Sequence, residues 1–431
     1  MKRVRGRLGR RIGLLALGLW AATWGVLYGS ALVCACGISL TCTWVALLLY
    51  PRWVRRSLSV ARDMPPSACE DDAVAVRFTL ENRSRLPAFL LEVTDRFTPD
   101  KVPRRHAQVF PGLGARRRTR VRYWGRCYAK RGTFSVGPVS VAVADPCGLF
   151  FAECPPDAVA SLVVYPSLAP VLPLGSQGLG RATLLGGNPR RTAGEGDLPL
   201  GVRPYRPGDP LRRVHWPSSA RHGRLVLREY EREVARPVWV FLDLCQTTQR
   251  GLGKHSILEV SVHVAAALCH AHLRAGDRVG LVAEGARSWT TPAGRGPAQR
   301  DRILEALARV RPDGERPLLE VVRDELPRLS PRDTCVFLVA DSDPEPWAPV
   351  LHELRARRCQ ASCVVFDLRS FRAVFGVAGD TLPPSVHTLA EVYATHGATV
   401  YACRNGEPIE AALARPYAGR PRVRIRAEPT S

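Results

Sequence analysis

The chain has 431 residues, too many for one ordinary domain, and 46% of them are hydrophobic against 23% charged, so most of it must fold around buried cores. Its formal charge is +23, but only four of the 62 basic residues are lysines and Gly, Pro and Ala abound, so part of that charge reflects a GC-rich coding bias rather than a polyanionic ligand. The 13 cysteines are scattered, odd in number and without CxxC spacing, which suggests neither a zinc site nor a disulfide framework and fits a reducing compartment.

Residues 12–50 contain no charged side chain, about twice the roughly 20 residues a membrane span needs. Two spans are expected, over residues 12–28 and 31–50, with Gly29-Ser30 at the turn and Pro51 closing the second helix. A cleaved secretory signal is excluded, because the apolar stretch is too long and a second basic cluster follows it. Arg10 and Arg11 precede the spans and Arg52, Arg55 and Arg56 follow them, so both ends belong in the cytoplasm. Residues 1–62 are therefore expected to be a basic N-terminus with a transmembrane hairpin, making a multi-pass protein of the cell membrane that meets lipid through two helices.

Between residues 63 and 165 the apolar period changes to two: Val74, Val76, Phe78 and Leu80 alternate with small or polar neighbours. Asn82-Arg83-Ser84 is a turn, residues 86–97 and 116–124 read as strands, and residues 131–143 read as a further strand run. Asp145-Pro146-Cys147-Gly148-Leu149-Phe150 is expected to close a small β-sandwich. Alternate arginines from Arg116 to Arg122 fit the solvated face of an edge strand better than a binding stripe. Residues 166–200, rich in Pro and Gly, read as an extended connector.

Residues 201–235 are the least generic text in the chain, with turn signals at Arg206-Pro207-Gly208-Asp209 and His222-Gly223-Arg224 around Val214-His215-Trp216. They contain no paired acid and base and no nucleophile beside a base. Their expected role is structural: Asp209 holds nearby arginines and Trp216 buries against a sheet, with direct recognition of a partner as the alternative.

From residue 236 to 431, short apolar runs alternate with helical patterns. Strands are expected at 237–242, 278–283, near 288–289, 334–340, 361–367 and 398–403. Helices are expected at 255–274, 297–310, 318–326, 349–358, 388–397 and near 409. That alternation predicts a doubly wound α/β sheet, whose ligands lie beyond the carboxyl ends of the strands. Asp243, Thr290 or Thr291, and Asp341 occupy those ends.

Asp243-Leu244-Cys245-Gln246-Thr247 resembles the Asp-x-Ser-x-Ser metal motif of von Willebrand factor A-like domains. The resemblance implies that Asp243, Thr247 and Asp341, with Thr290 or Thr291, supply oxygen ligands to Mg²⁺. Cys245 departs from it, a soft thiol standing where a hydroxyl is usual. Without a metal, Asp243 would simply cap the following turn.

Tyr205, Arg206, Gly208 and Asp209, then His215, Trp216 and Arg221, resemble the signature of the bacterial family called domain of unknown function fifty-eight. Arg131-Gly132, Gly137-Pro138 and the Asp145-Pro146 turn match the segment usual before it, and Cys147 departs where an aromatic is usual. The resemblance implies association with a MoxR-type AAA+ ATPase and a non-enzymatic adaptor role in assembly or envelope-related processes. Two alternatives stand beside that reading. One is a hydrolase with Cys245 as nucleophile and His215 or His255 as base. The other is binding of an anionic polymer or nucleic acid, which no recognisable motif supports; no nucleic acid is expected as partner. The sequence leaves oligomeric state open.

Overall fold

The computed structural model describes residues 2–100, 104–128, 131–155, 159–174, 199–205, 214–230, 237–341, 343–373 and 383–417. It divides into two compact units, Met1–Ser167 and Leu168–Ser431.

The first unit begins with helices α1 (Lys2–Leu27) and α2 (Ala31–Val54). They meet on glycines. A Cβ on Gly25 would fall 2.3 Å from the Cys34 nitrogen and one on Gly37 2.2 Å from the Ala22 nitrogen, so only glycine permits the approach. By length and composition the segment Ala31–Ser57 can cross a membrane, whereas the apolar part of α1, Ile12–Leu27, is shorter. Pro51 does not close the second helix. The helix runs on to Val54 because its last turn is held by tertiary contacts: Val54 is fully buried in the adjoining core, and Tyr50 Oη donates to the Pro87 carbonyl at 2.5 Å.

Ten strands follow: β1 (Leu58–Asp63), β2 (Ser67–Cys69), β3 (Ala73–Asn82), β4 (Ala88–Phe97), β5 (Arg104–Leu113), β6 (Arg118–Arg126), β7 (Gly132–Val136), β8 (Ser140–Ala144), β9 (Phe151–Glu153) and β10 (Ala160–Tyr165). One sheet has the order β1-β3-β6. The other has the order β2-β10-β7-β4-β8-β9, with β5 also paired on β4. Val74, Val76, Phe78 and Leu80 of β3 point inward with Val121 and Tyr123 of β6, and share one core with Leu91, Phe97, Val141 and Leu162 of the facing sheet. This is a sandwich built on the period-two pattern. The run 131–143 is two strands parted at Gly137-Pro138, and the Asp145–Phe150 turn is followed by two more strands. The first strand starts at Leu58, after a single 3-10 turn over Arg55–Ser57. Arg118, Arg120 and Arg122 project from the exposed face of β6, an edge strand, as their alternation suggests.

In the second unit, β11 (Pro199–Pro204) pairs antiparallel with β12 (Val226–Tyr230), and α3 (Trp216–His222) lies between them in sequence. The remainder comprises β13 (Pro237–Leu242), α4 (Ile257–Ala275), β14 (Arg278–Ala283), β15 (Thr291–Gly294), α5 (Gly296–Arg309), α6 (Leu318–Glu325), β16 (Thr334–Val339), α7 (Ala348–Ala356), β17 (Gln360–Phe366), α8 (Leu368–Ala373), α9 (Val386–Thr395), β18 (Thr399–Cys403) and α10 (Ile409–Ala414). The sheet order is β15-β14-β13-β16-β17-β18, parallel except for β15. The chain enters at the centre, builds one side, then returns to build the other, as in a doubly wound α/β sheet.

Phe241, Val282, Phe337 and Val365 face a cluster formed with α6, α7 and α9, while α4 packs on β13 and β14 beside α5. Helices thus cover both faces, which is why these strands read as continuous apolar runs. The short strand expected near Ser288 is displaced to Thr291–Gly294, where Thr291 pairs with Leu281; Ser288 makes a single bridge to Glu284. Part of the expected connector is packed: Leu174 is buried, its N–H donates to His272 Nε2 (3.1 Å), and His272 Nδ1 lies 2.9 Å from Asp277 Oδ2.

Candidate functional site

Four neighbouring parallel strands each deliver an acid just beyond their carboxyl ends: Glu284 after β14, Asp243 after β13, Asp341 after β16 and Asp367 after β17. The outer two each have an arginine partner. Arg316 bonds Glu284 at 3.1 Å, and Arg404 lies 3.7 Å from Asp367. The central two, Asp243 and Asp341, have no arginine or lysine partner among the described residues.

Asp243 is buried at 3% exposure, and its Oδ1 accepts the Cys245 N–H at 2.9 Å. It therefore caps the turn after β13. Burial pushes its carboxyl up to about 6, against the lowering effect of the Cys245 N–H and the Thr248 hydroxyl, and the neighbouring charge of Asp341 adds to the rise. Asp341 Oδ1 accepts the Asp343 N–H at 3.2 Å.

The loop carrying Cys245 is clamped from one side. Gly314 N–H donates to the Leu244 carbonyl (3.0 Å) and Gln246 N–H to the Gly314 carbonyl (2.9 Å). A Cβ on Gly314 would fall 3.0 Å from both the Glu284 and Leu244 carbonyls, so the clamp needs glycine there. Cys245 is 1% exposed, with its Sγ 3.1 Å from Thr247 Oγ1 and 3.8 Å from the Glu315 carbonyl. Neither expected base is its partner: His215 Nδ1 bonds Ser218 Oγ (2.7 Å) and His255 Nδ1 bonds Asn405 Oδ1 (3.0 Å).

Asp243, Cys245 and Thr247 thus come together, with Asp341 within electrostatic reach. Of the two candidate loop threonines, Thr290 is exposed and accepts from Ser288 Oγ (3.1 Å), while Thr291 is a buried strand residue. The donor set fits a hard divalent cation poorly. Its central position holds a soft thiol already engaged with Thr247, and Asp243 Oδ1 is committed to a backbone N–H. Among the described residues no three His, Cys, Asp or Glu side chains converge to hold a metal ion.

Sequence reasoning did not single out Tyr393 and Trp347. Both are buried, with ring centroids 6.0 Å apart, and Tyr393 Oη and Trp347 Nε1 have no hydrogen-bond partner among the described residues. Burial raises the Tyr393 phenol, with Cys363, Asp341, Asp343 and Asp243 adding to the rise. Glu284 and Asp367 were also missed; a single acid directly after each apolar run was the available signal.

In the segment 201–235, Tyr205 N–H donates to the Leu225 carbonyl (2.9 Å) and His215 N–H to the Val226 carbonyl (2.8 Å), which tie both ends of the turn region to the β12 side. Ser219, buried, accepts the Val226 N–H at 2.9 Å and donates to the His215 carbonyl at 3.0 Å. Trp216 does not bury against a sheet. It opens α3 and is 66% exposed, because Ser219, and not the indole, turns inward to satisfy the backbone. Arg221 is also exposed. Arg206, Gly208 and Asp209 lie outside the described residues.

Residues 201–371 match the family model described as "Protein of unknown function DUF58". An uncharacterized protein of Mycobacterium tuberculosis is 29% identical over 184 residues, 41% of this chain and 57% of that one, and a Mycobacterium bovis protein matches equally. The uncharacterized protein YeaD of Bacillus subtilis is 28% identical over 131 residues, 30% of this chain and 31% of its own length. The chain thus spans little more than half the length of the mycobacterial relatives. Among solved structures, a β-glucosidase from Listeria innocua overlaps with 13% identity over 25% of this chain and 16% of that one, at a TM-score of 0.17. The sporulation control protein Spo0M of Bacillus subtilis overlaps with 9% identity over 25% of this chain and 49% of that one, at 0.16. Overlaps this small carry no argument.

Proposed function

We propose that this protein is a membrane-anchored, non-enzymatic interaction module of the DUF58 type, whose second unit is a von Willebrand factor A-like domain that engages a MoxR-type AAA+ ATPase. The observation that carries the reading is the unneutralised pair Asp243 and Asp341 on the two central, adjacent parallel strands, at the edge where doubly wound sheets bind ligands. The sheet order and the polar loop from Asp243 to Thr247 support the von Willebrand factor A-like assignment. Exposed Trp216 in the signature segment supports recognition of a protein partner there, since a solvent-facing indole has large contact area to offer.

Because the donor set suits Mg²⁺ poorly, engagement proceeds through half-buried Asp341 and the turn that buried Asp243 caps, and is independent of Mg²⁺. The anchor is α2, with α1 packed on it as a second span, and the positive-inside rule sets the sandwich and the second unit in the cytoplasm. The test is affinity purification of the intact protein from its own membrane at native expression. It should recover an AAA+ ATPase with the wild type, in EDTA as well as in Mg²⁺, and lose it with Asp243→Ala/Asp341→Ala.

A further inference from the structure

The sandwich is not tethered to α2 by a free linker; its loops lie alongside the last turns of the helix. Tyr50 Oη donates to the Pro87 carbonyl (2.5 Å), Arg83 N–H donates to the Ser57 carbonyl (2.9 Å), and Arg116 N–H donates to the Ser84 carbonyl (3.2 Å). Two turns, one joining β3 to β4 and one joining β5 to β6, are therefore stacked beside the helix end. A third reaches deeper: Phe150, in the turn between β8 and β9, meets Trp44 edge-on with ring centroids 5.3 Å apart. Trp44 precedes Val54, the last residue of the helix, by about 15 Å along the axis. Beside that turn, Leu90 stands 40% exposed, and a Cβ on Gly148 would lie 3.6 Å from its side chain.

The chemistry of this end is graded. Its deepest tip exposes Leu90, Pro146 and Cys147 beside the buried Phe150 that meets Trp44. Around the helix end above it stand six exposed arginines: Arg52, Arg56, Arg83, Arg85, Arg116 and Arg117. Arg83 bonds Glu81, which also receives Arg118; Arg56, Arg85, Arg116 and Arg117 have no carboxylate partner among the described residues. An exposed apolar tip below and guanidinium groups without carboxylate partners above is the profile of an interfacial contact, in which the exposed alkyl groups enter the acyl boundary and arginine forks bond phosphate oxygens.

We propose that this end of the β-sandwich is a docking surface for anionic lipid headgroups of the cytoplasmic leaflet, with the turns at 83–87 and 114–117 gripping the phosphates. The inference rests on α2 spanning the membrane. It makes the sandwich a fixed platform on the bilayer, since each arginine near an anionic surface strengthens attachment by about fivefold.

The test is hydrogen–deuterium exchange of the full-length protein in nanodiscs of phosphatidylcholine alone or with one third phosphatidylglycerol. Exchange in residues 83–87 and 114–117 should slow by about tenfold or more with phosphatidylglycerol. Arg56→Gln/Arg85→Gln/Arg117→Gln should abolish that slowing while β3 and β4 keep wild-type protection, which shows that the sandwich remains folded. Equal exchange in the two lipids, with α2 protected in both, overturns the docking surface and leaves the anchor intact. Failure of α2 to enter either nanodisc overturns both. Protection reproduced by inorganic phosphate in phosphatidylcholine discs identifies a free-anion site and also overturns the proposal.

Discussion

Asp243 and Asp341 follow neighbouring parallel strands, and the charge of the second adds to burial in holding the carboxyl of the first at about 6. In an unfolded chain that carboxyl titrates near 3.9. Between those two values the folded state binds more protons than the unfolded one, so rising pH costs stability, up to about 3 kcal/mol once Asp243 is fully ionised. Asp243→Asn keeps an acceptor for the Cys245 N–H and removes the charge. The variant should exceed the wild type in stability at pH 7.5 by about 1–3 kcal/mol, and the gap should close by pH 4. Urea titrations of the full-length protein in detergent, followed by tryptophan fluorescence, measure both points.

Cys245 stands between two oxygens that a hard cation would need, and its thiol is what spoils the set. Cys245→Ser replaces a soft donor by a hard one at nearly the same volume. Calorimetric titration with Mg²⁺ should give no saturable heat for the wild type and a binding isotherm for Cys245→Ser. Equal binding by both proteins would show that the thiol does not decide the matter.

In the sandwich, Arg62 and Asp95 form a bond of 3.0 Å with side chains 4% and 1% exposed, and Tyr123 donates to the other Asp95 oxygen at 2.5 Å. Arg62 also donates to the Val136 carbonyl at 2.7 Å. Removing one member of a buried pair strands the other charge, so Asp95→Ala should cost about 3–5 kcal/mol. Tyr123→Phe, which deletes one neutral donor, should cost about 1–3 kcal/mol. Denaturant midpoints of the two variants should fall in that order.

Trp216 separates the two readings of its segment. With the indole 66% exposed, Trp216→Ala should leave stability within about 0.5 kcal/mol of wild type. If it is a recognition residue, the same change should weaken partner capture by about 2 kcal/mol or more, some thirtyfold. Loss of folding instead would restore the structural role that the sequence suggested.

How far the sequence could be read follows from what each signal depends on. The runs at 237–242 and 278–283 were legible to the residue, because strands buried on both faces need unbroken apolar text. Alternation in β3 was equally plain. β2 and β9 are three-residue strands, too short for a period to show, and β1 was hidden behind the basic cluster after α2. Asp243 was legible by its place after β13, whereas its neighbours Gly314 and Tyr393 come from loops and helices far along the chain. Trp216 misled because indoles are usually buried, and nothing local reveals that Ser219 takes the inward position.

The central claim is that the carboxyl edge around Asp243 and Asp341 captures an AAA+ ATPase without Mg²⁺. It is tested most directly by purifying the intact protein from its native membrane in EDTA and identifying co-purifying proteins by mass spectrometry, with wild type beside Asp243→Ala/Asp341→Ala. Recovery of the ATPase with the wild type, and its loss from a variant that remains folded, is the expected result. Recovery of no ATPase with the wild type, or undiminished recovery with the variant, would contradict it.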